Sequence, residues 1–340
     1  FHGYKGWRAR YYWCHLKSCL RKFLAAHNPD ALYSRYQTGE RFLGTLARRH
    51  HIPWIAELNG SNKLEFGNLD RLNLKASREL KLATGVITQG SGLVRRAHRD
   101  FQVPIERIHV VENGVNPELF RPRPRSEVRR ALGIREDIPI LGYAGTYQRY
   151  HDLEVVFRAL LLLEEDLPQL QIYCVGSGGR RAYYQELAKK LRIDQRVLFL
   201  DSVPQTEVAL YLNAFDLGLM TCPGEMMEEV RSFKLREYMA CDLPVLASAT
   251  GFHDDSLLRY TLKVPPEDPR AVADALRNWW VNREAIEEQA SQAGAKIRQK
   301  CTWLSASREI ENIVRHYCVG KVTALPKTRS PASRVATTVS

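Results

Sequence analysis

The stretch "PILGYAGTYQRYHDLEVVFRALLLLEEDLPQLQIYCVGSGG", residues 139–179, decides the fold. An apolar run ends in a glycine turn, an amphipathic helical segment follows, and a second apolar run ends in another glycine turn. Asp152 stands where the helix needs an N-cap. Strand, helix and strand in this order predict parallel strands joined by a helical crossover. The alternation continues downstream. "RRAYYQELAKKLRI" reads as a helix, "RVLFLDSV" as a strand, "QTEVALYLNA" as a helix and "LGLMTCP" as a strand. Residues 228–248 give a further helix and strand, and "TLKVPPEDPRAVADALRNWWVNR" another pair.

Upstream the same alternation is thinner. Residues 7–26, "WRARYYWCHLKSCLRKFLAA", form an amphipathic helix with Trp7, Tyr11, Leu16, Leu20 and Phe23 roughly on one side and Arg8, Arg10, Lys17, Arg21 and Lys22 around the rest. "PDALYSR", "IPWIAELNG", "GVITQGS" and "RIHVVENGV" carry short strands, and residues 69–83 read as helical. The Pro-rich, charged "VNPELFRPRPR" at 115–125 separates the two halves. The chain therefore reads as α/β, with an N-terminal domain at 1–116, a fuller C-terminal domain at 117–304 and a terminal helix at 305–320. The Ser-, Thr- and Pro-rich tail at 321–340 reads as disordered.

With 340 residues, two domains are the natural division, and 44% hydrophobic content supplies their cores. The first residue is Phe1, and no signal peptide is visible there. The longest aliphatic run near the middle, Ala159 to Leu163, falls far short of the roughly 20 residues that span a bilayer. Seven scattered cysteines without zinc spacing suit a reducing, cytoplasmic compartment. The net charge of +12 suggests an anionic partner (a phosphate ligand, lipid headgroups or nucleic acid) or simply a solvated basic surface. No nucleic-acid recognition motif is present, so a nucleic-acid partner is not expected; steep salt-dependent binding to DNA or RNA would be its sign.

The turns after strands are where such sheets bind ligands. Gly145 with Thr146, and Gly176 with Ser177, close consecutive strands, so each glycine either shapes a turn or lets the backbone approach a phosphate. Neither turn is a dinucleotide fingerprint or a Walker loop. In "EEVRSFKLREYMACDLPVLAS", residues 228–248, Glu229 and Glu237 stand eight apart with Lys234 between them. On one helix that spacing is about 12 Å and roughly 80° of rotation. A carboxylate pair acting on one glycosidic bond needs about 5 to 9.5 Å. The two acids suit opposite ends of a long ligand instead, with Lys234 and backbone N–H groups near Ser232 facing a diphosphate. An acidic helix start with a surface lysine would look the same. In "GFHDD", residues 251–255, a His and two Asp have no partner at ligand spacing and read as a loop.

Taken in order, "VVENGVNPELFRP", "LGYAGTY", "VGSG", "FDLGLM" and "KLREYMACDLPVLAS" resemble the retaining glycosyltransferase family 4, of GT-B fold, over roughly residues 30–305. The pair Glu229 and Glu237 and the "EYMAC" run carry most of the likeness. The resemblance implies two Rossmann-like, doubly wound domains facing a crevice, and transfer of a hexose with retention from a nucleotide diphosphate sugar to a glycan or lipid-linked acceptor, as in polysaccharide biosynthesis. It implies no metal and no other cofactor. Glu229 would hold the donor sugar near the reacting centre and Glu237 the ribose, with Leu235 beside them. Where the family usually carries an arginine and a lysine for the diphosphate, this chain has Thr146 and His151, and Lys234 is the candidate for the missing cation. Asp242 replaces the usual glycine two places before Pro244. The glycine-rich loop that opens the family's N-terminal domain has no counterpart before Pro29, so the N-terminal domain is expected to be incomplete, and the enzyme either acts or is inactive as this fragment.

Arg35, Glu57 and Asn59, at the ends of two early strands, are acceptor-side candidates by position only; ordinary surface roles would suit them too. The basic, aromatic helix at 7–26 either lies on an anionic membrane, which would make the enzyme peripheral at the inner face, or packs on its own sheet. A non-catalytic relative that binds sugar nucleotide or membrane as a scaffold is the alternative to an enzyme.

Overall fold

The computed structural model describes residues 7–36, 42–59, 79–224, 233–248, 257–322 and 336–337. The chain divides into two compact units: Phe1–Glu112 together with Ser307–Ser340, and Asn113–Ala306. The division falls a few residues before 116/117, and the terminal helix belongs to the first unit rather than standing alone.

In the first unit α1 (Trp7–His27), β1 (Leu32–Arg35), α2 (Leu43–Arg49), β2 (Trp54–Leu58), β3 (Gly85–Thr88), α3 (Ser91–Arg99) and β4 (Ile108–Val110) follow in order. All strands pair in parallel, in the order β1-β2-β3-β4, with β11 (Ala336–Thr337) outside β1. Part of the tail expected to be disordered is thus a strand. Every residue of β3 is buried, as in a parallel sheet covered on both faces. The packing face of α1 differs from the sequence reading. Leu20 and Leu24 are buried and Trp13 and Leu16 pack on the core, whereas Tyr11 (69% exposed) and Phe23 (40%) point outward. Residues 13, 16, 20 and 24 make a tighter three-and-four stripe, and it is this stripe that is buried.

The second unit holds α4 (Arg125–Ala131), β5 (Ile140–Ala144), α5 (Glu154–Leu161), β6 (Gln171–Val175), α6 (Arg181–Lys190), β7 (Val197–Leu200), α7 (Gln205–Ala214) and β8 (Leu217–Met220). Then come α8 (Phe233–Ala240), β9 (Val245–Ser248), β10 (Leu262–Val264), α9 (Pro269–Val281) and α10 (Arg283–Lys300). Its six strands are parallel, in the order β10-β9-β8-β5-β6-β7. Alternate residues of β5 feed two cores. Leu141 and Tyr143 join Phe157, Tyr184, Leu276 and Trp279 on one face; Ile140 and Ala144 join Leu212, Leu235, Tyr238 and Ile297 on the other. Each of the leucine, isoleucine and phenylalanine side chains among them contributes about 1.5–3 kcal/mol on burial. α11 (Trp303–Val322) then returns to the first unit, where Tyr317 Oη lies 2.8 Å from His109 Nε2.

Two local readings also change. The Pro-rich stretch at 115–125 is no loose linker: Val115 and Phe120 are 1% exposed in the second unit's core, and α4 starts directly after Pro124. Of the expected helix at 69–83, residues 69–78 lie outside the described residues, and Glu79 and Leu80 are helical.

Candidate functional site

The strand order places the site before any side chain is considered. β5 and β8 are neighbours, and the connections from their carboxyl ends run in opposite directions, from β5 to β6 and from β8 to β9. Ligands of open parallel sheets bind at that switch point. Gly145 and Gly176 end β5 and β6 there, with φ of +148° and +141°, where a side chain would be strained. A Cβ on Gly145 would overlap Cε of Lys234, and one on Gly176 would overlap the Gly145 carbonyl oxygen. Both glycines are therefore needed for close packing: turn on turn, and turn on the lysine. The backbone is held by Gly145 N–H donating to Val175 O at 2.9 Å and Tyr147 N–H donating to Ser177 O at 3.0 Å. Thr146 and Ser177 stay exposed above this layer.

Lys234 is the centre of the cluster. It and Glu237 lie three apart on α8 and so share a face. The Lys234 ammonium sits 4.0 Å from the centre of the Tyr143 ring and 3.1 Å from Nε2 of buried His151. Tyr143 Oη donates to Thr146 O at 2.6 Å, tying the ring to the Gly145 turn. The His151 segment is fixed from behind by Tyr184 Oη donating to His151 O at 2.6 Å and by Asp152 N–H donating to Thr221 O at 3.0 Å. Leu153 rather than Asp152 is the N-cap of α5, but Asp152 Oδ1 accepts from Val155 N–H at 3.3 Å and so supports the helix start from one residue earlier.

Burial dominates the electrostatics. It lowers Lys234 to about 7, against the opposing attraction of Glu237. Burial, then the neighbouring Lys234, pushes His151 down to about 2, so the imidazole is neutral beside the ammonium. Glu237 is raised, first by burial, with Gln205 and Lys234 pulling the other way. Gln205 Nε2 donates to Glu237 Oε1 at 3.4 Å. Perturbed acids and bases gathered at a strand-end switch point are the physical mark of a binding or reaction site.

Of the residues singled out from sequence, Gly145, Thr146, His151, Gly176, Ser177, Lys234 and Glu237 all occur at the ends of β5 and β6, in the turns that follow them, or on α8. The Leu235 side chain does not face this cluster: it is 1% exposed and packs in the core with Tyr238 and Met239. Glu229, Glu228, Ser232 and residues 251–255 lie outside the described residues. Asp242 takes the left-handed conformation, φ +56°, that the usual glycine would serve. Asp tolerates this region, and its carboxylate accepts from Arg298 Nη1 and, at 3.2 Å, from Ser291 Oγ.

The sequence reading missed three residues here. Tyr143 floors the ammonium, Gln205 binds Glu237, and Tyr238 Oη accepts from Ala144 N–H at 2.8 Å, bracing the strand end. In the first unit, Arg35 is exposed and in register with Glu57 at the carboxyl ends of β1 and β2. Glu57 accepts from Tyr33 Oη, and Asn59 Oδ1 accepts from Gln89 Nε2 at 2.7 Å. Among the described residues no group of three or more His, Cys, Asp or Glu side chains could hold a metal ion.

Compared with known proteins, residues 124–299 match the glycosyl transferases group 1 family and residues 2–119 match glycosyltransferase family 4. A D-inositol 3-phosphate glycosyltransferase from Thermobispora bispora is 31% identical over 180 residues, covering 50% of this chain and 40% of that protein. The chain spans about half the length of the curated relatives it matches. Among solved structures, HepE of Anabaena in complex with UDP superposes with a TM-score of 0.75 at 19% identity, covering 88% of this chain and 82% of that one. Sucrose-phosphate synthase of Thermosynechococcus elongatus superposes with a TM-score of 0.74 at 18% identity, covering 90% and 78%. These likenesses establish the architecture as GT-B. With a family match over just over half its length, the chain belongs to the group 1 glycosyl transferases.

Proposed function

We propose that this protein transfers a hexose, with retention of anomeric configuration, from a nucleotide diphosphate sugar to a glycan or lipid-linked acceptor. The observation that carries the reading is Lys234: an ammonium held against the Gly145 turn at the switch point of the second sheet, its acidity raised by burial. A diphosphate arriving there supplies the negative charge that burial withholds. In this reading Glu237, three residues along the same helix face, accepts from ribose hydroxyls, and the family resemblance gives Glu229 the donor sugar. In the reaction the acceptor oxygen bonds to the anomeric carbon as the bond to the diphosphate oxygen breaks. That oxygen takes the acceptor proton on the same face, while Lys234 stabilises the departing charge. The cation in this reading is Lys234, and no metal is invoked.

HepE of Anabaena has been solved with UDP and with UDP-glucose, which supports uridine diphosphate sugars as the first donors to try. For the acceptor, α1 exposes Tyr11 and Phe23 beside exposed Lys17, Arg21 and Lys22, a surface suited to an anionic membrane. No helix among the described residues is long and apolar enough to cross a membrane. In this reading the enzyme sits peripherally on the cytoplasmic face. A second reading, a binder without turnover, rests on Thr146 standing where the resemblance leads one to expect an arginine.

The deciding experiment has two stages. Thermal shifts with UDP and UDP-sugars test donor binding, since a ligand of the folded state raises its melting point. Sugar transfer to lipid-linked and soluble glycan acceptors, with the product anomer read by NMR, then tests turnover. Binding without transfer favours the binder, and no binding by any nucleotide diphosphate removes both readings. Co-sedimentation with anionic but not neutral vesicles, lost when Arg21 and Lys22 become Glu, supports the membrane acceptor; equal partitioning to both removes it.

A further inference from the structure

At the amino-terminal edge of the second unit's sheet, the end opposite the glycine turns, lies a cavity of about 250 Å3. Its walls include Arg125, Arg129, Arg283 and Trp280, and its floor is the carboxylate of Asp216. Asp216 is 1% exposed and fully engaged. Oδ1 pairs with Arg283 and, at 3.1 Å, with Arg125; Oδ2 accepts from Arg129 Nη2 and from Ile140 N–H, both at 2.7 Å. Four donors leave no acceptor position for a bound cation.

The arginines are less fully used. Arg129 spends its remaining donors on the carbonyls of Ala214, Glu136 and Ile138. Arg125 and Arg283 share one oxygen of Glu287 at 3.1 Å. Among the described residues, Nε of Arg125 and Nη1 of Arg283 have no hydrogen-bond partner, and the two side chains are 32% and 30% exposed. At the rim, Glu136 pairs with Arg130 and Asp137 with Arg135, so the carboxylates there are also matched. The lining itself holds three arginines and three carboxylates, and adding Arg130, Arg135 and Glu287 around it leaves one positive charge over the cluster, with forked guanidinium donors on Arg125 and Arg283 still unused. Beside them Trp280 is 41% exposed, and the Arg283 guanidinium lies 5.7 Å from its ring centre.

We propose that this cavity is a second ligand site, for a small phosphomonoester. Its phosphate oxygens take the unused donors of Arg125 and Arg283, and its body lies along the open part of the Trp280 ring. The size argues for a small ligand, because pockets for drug-sized molecules run to roughly 300–1,000 Å3. The site is separate from the proposed donor site and does not depend on it.

The probes are phenyl phosphate, inorganic phosphate and UDP, titrated calorimetrically into the full chain. Phenyl phosphate is expected to saturate one site. Arg283→Gln should weaken it and inorganic phosphate about tenfold or more. Trp280→Ala, at a half-exposed ring where the fold is least at risk, should weaken phenyl phosphate by about tenfold and leave inorganic phosphate unchanged. Neither variant should alter UDP binding. The proposal falls if phenyl phosphate does not saturate the wild-type protein. It also falls if binding survives Trp280→Ala undiminished, or if it is lost in Lys234→Met and retained in the cavity variants. Should Arg283→Gln fail to fold, the Trp280→Ala comparison decides by itself.

Discussion

The two ends of the second sheet bury charge in opposite ways. At the amino edge, Asp216 is enclosed, but its carboxylate meets Arg125, Arg129 and Arg283 and a backbone N–H. At the carboxyl edge, Lys234 is set over an aromatic ring and beside a neutral imidazole, and burial outweighs the attraction of Glu237 enough to bring it to about 7. A buried charge matched by hydrogen-bonded opposite charge serves the fold, and removing one partner is costly. A buried group whose protonation burial shifts this far, at a strand-end switch point, is a candidate for a binding or reaction site.

The largest effect is expected from breaking the amino edge. Asp216→Ala leaves three arginines facing each other and should cost about 3–5 kcal/mol, read from urea denaturation. A midpoint within error of wild type would mean that water already compensates those charges. At the carboxyl edge Lys234→Met should behave in the opposite sense. Nucleotide diphosphate affinity should fall by the about 1.5–3 kcal/mol of a charged hydrogen bond, while stability at pH 7 holds or rises. If Lys234→Met destabilises the fold as strongly as Asp216→Ala, the contrast between the two ends disappears.

The pH dependence of stability carries a smaller signal. The folded state holds Lys234 near 7, and an unfolded lysine titrates at about 10.4. Between these values the unfolded chain binds more protons, so stability contributed by this residue should rise with pH across that window. Below about 7 the penalty of the buried ammonium is fully present and constant. The difference in unfolding free energy between wild type and Lys234→Met, measured from pH 7 to 10, should change in wild type's favour; a flat difference contradicts the shift. The smallest effect belongs to Gln205→Ala. It removes the 3.4 Å bond to Glu237 and should weaken UDP by about 0.5–1.5 kcal/mol without moving the denaturation midpoint.

What could be read from sequence follows from the range of the interactions involved. β5, α5, β6 and the turns at Gly145 and Gly176 were legible because apolar runs, a 3.6 period and glycines are local signals. α4 was concealed because Pro122 and Pro124 suggest a linker, although proline directly before a helix is compatible with starting one. On α1 the periodicity was right, but the buried stripe uses Trp13 and Leu24 rather than Tyr11 and Phe23, a small rotation that only the sheet beneath can decide. Leu235 belongs to a motif rich in site residues, yet neighbours on a helix face different ways, and its side chain went to the core. Tyr238 reaches Ala144 and Lys234 reaches His151 across more than eighty positions of chain; no pattern within either segment records those pairings. Asp242 carries the opposite lesson: a residue that broke the family pattern keeps the glycine-like conformation through its contacts with Arg298 and Ser291.

The return of α11 to the first unit has a consequence for synthesis. The second unit is one uninterrupted stretch, Asn113–Ala306, while the first is assembled from pieces on either side of it. On the ribosome, at about 5–20 residues per second, that stretch takes roughly 10–40 s to make. Throughout that interval His109 waits for Tyr317, and the edge of β1 that pairs with Ala336 and Thr337 stays open. The later-made unit can therefore complete its core first, while the earlier-made one lacks these contacts until α11 and β11 have been made.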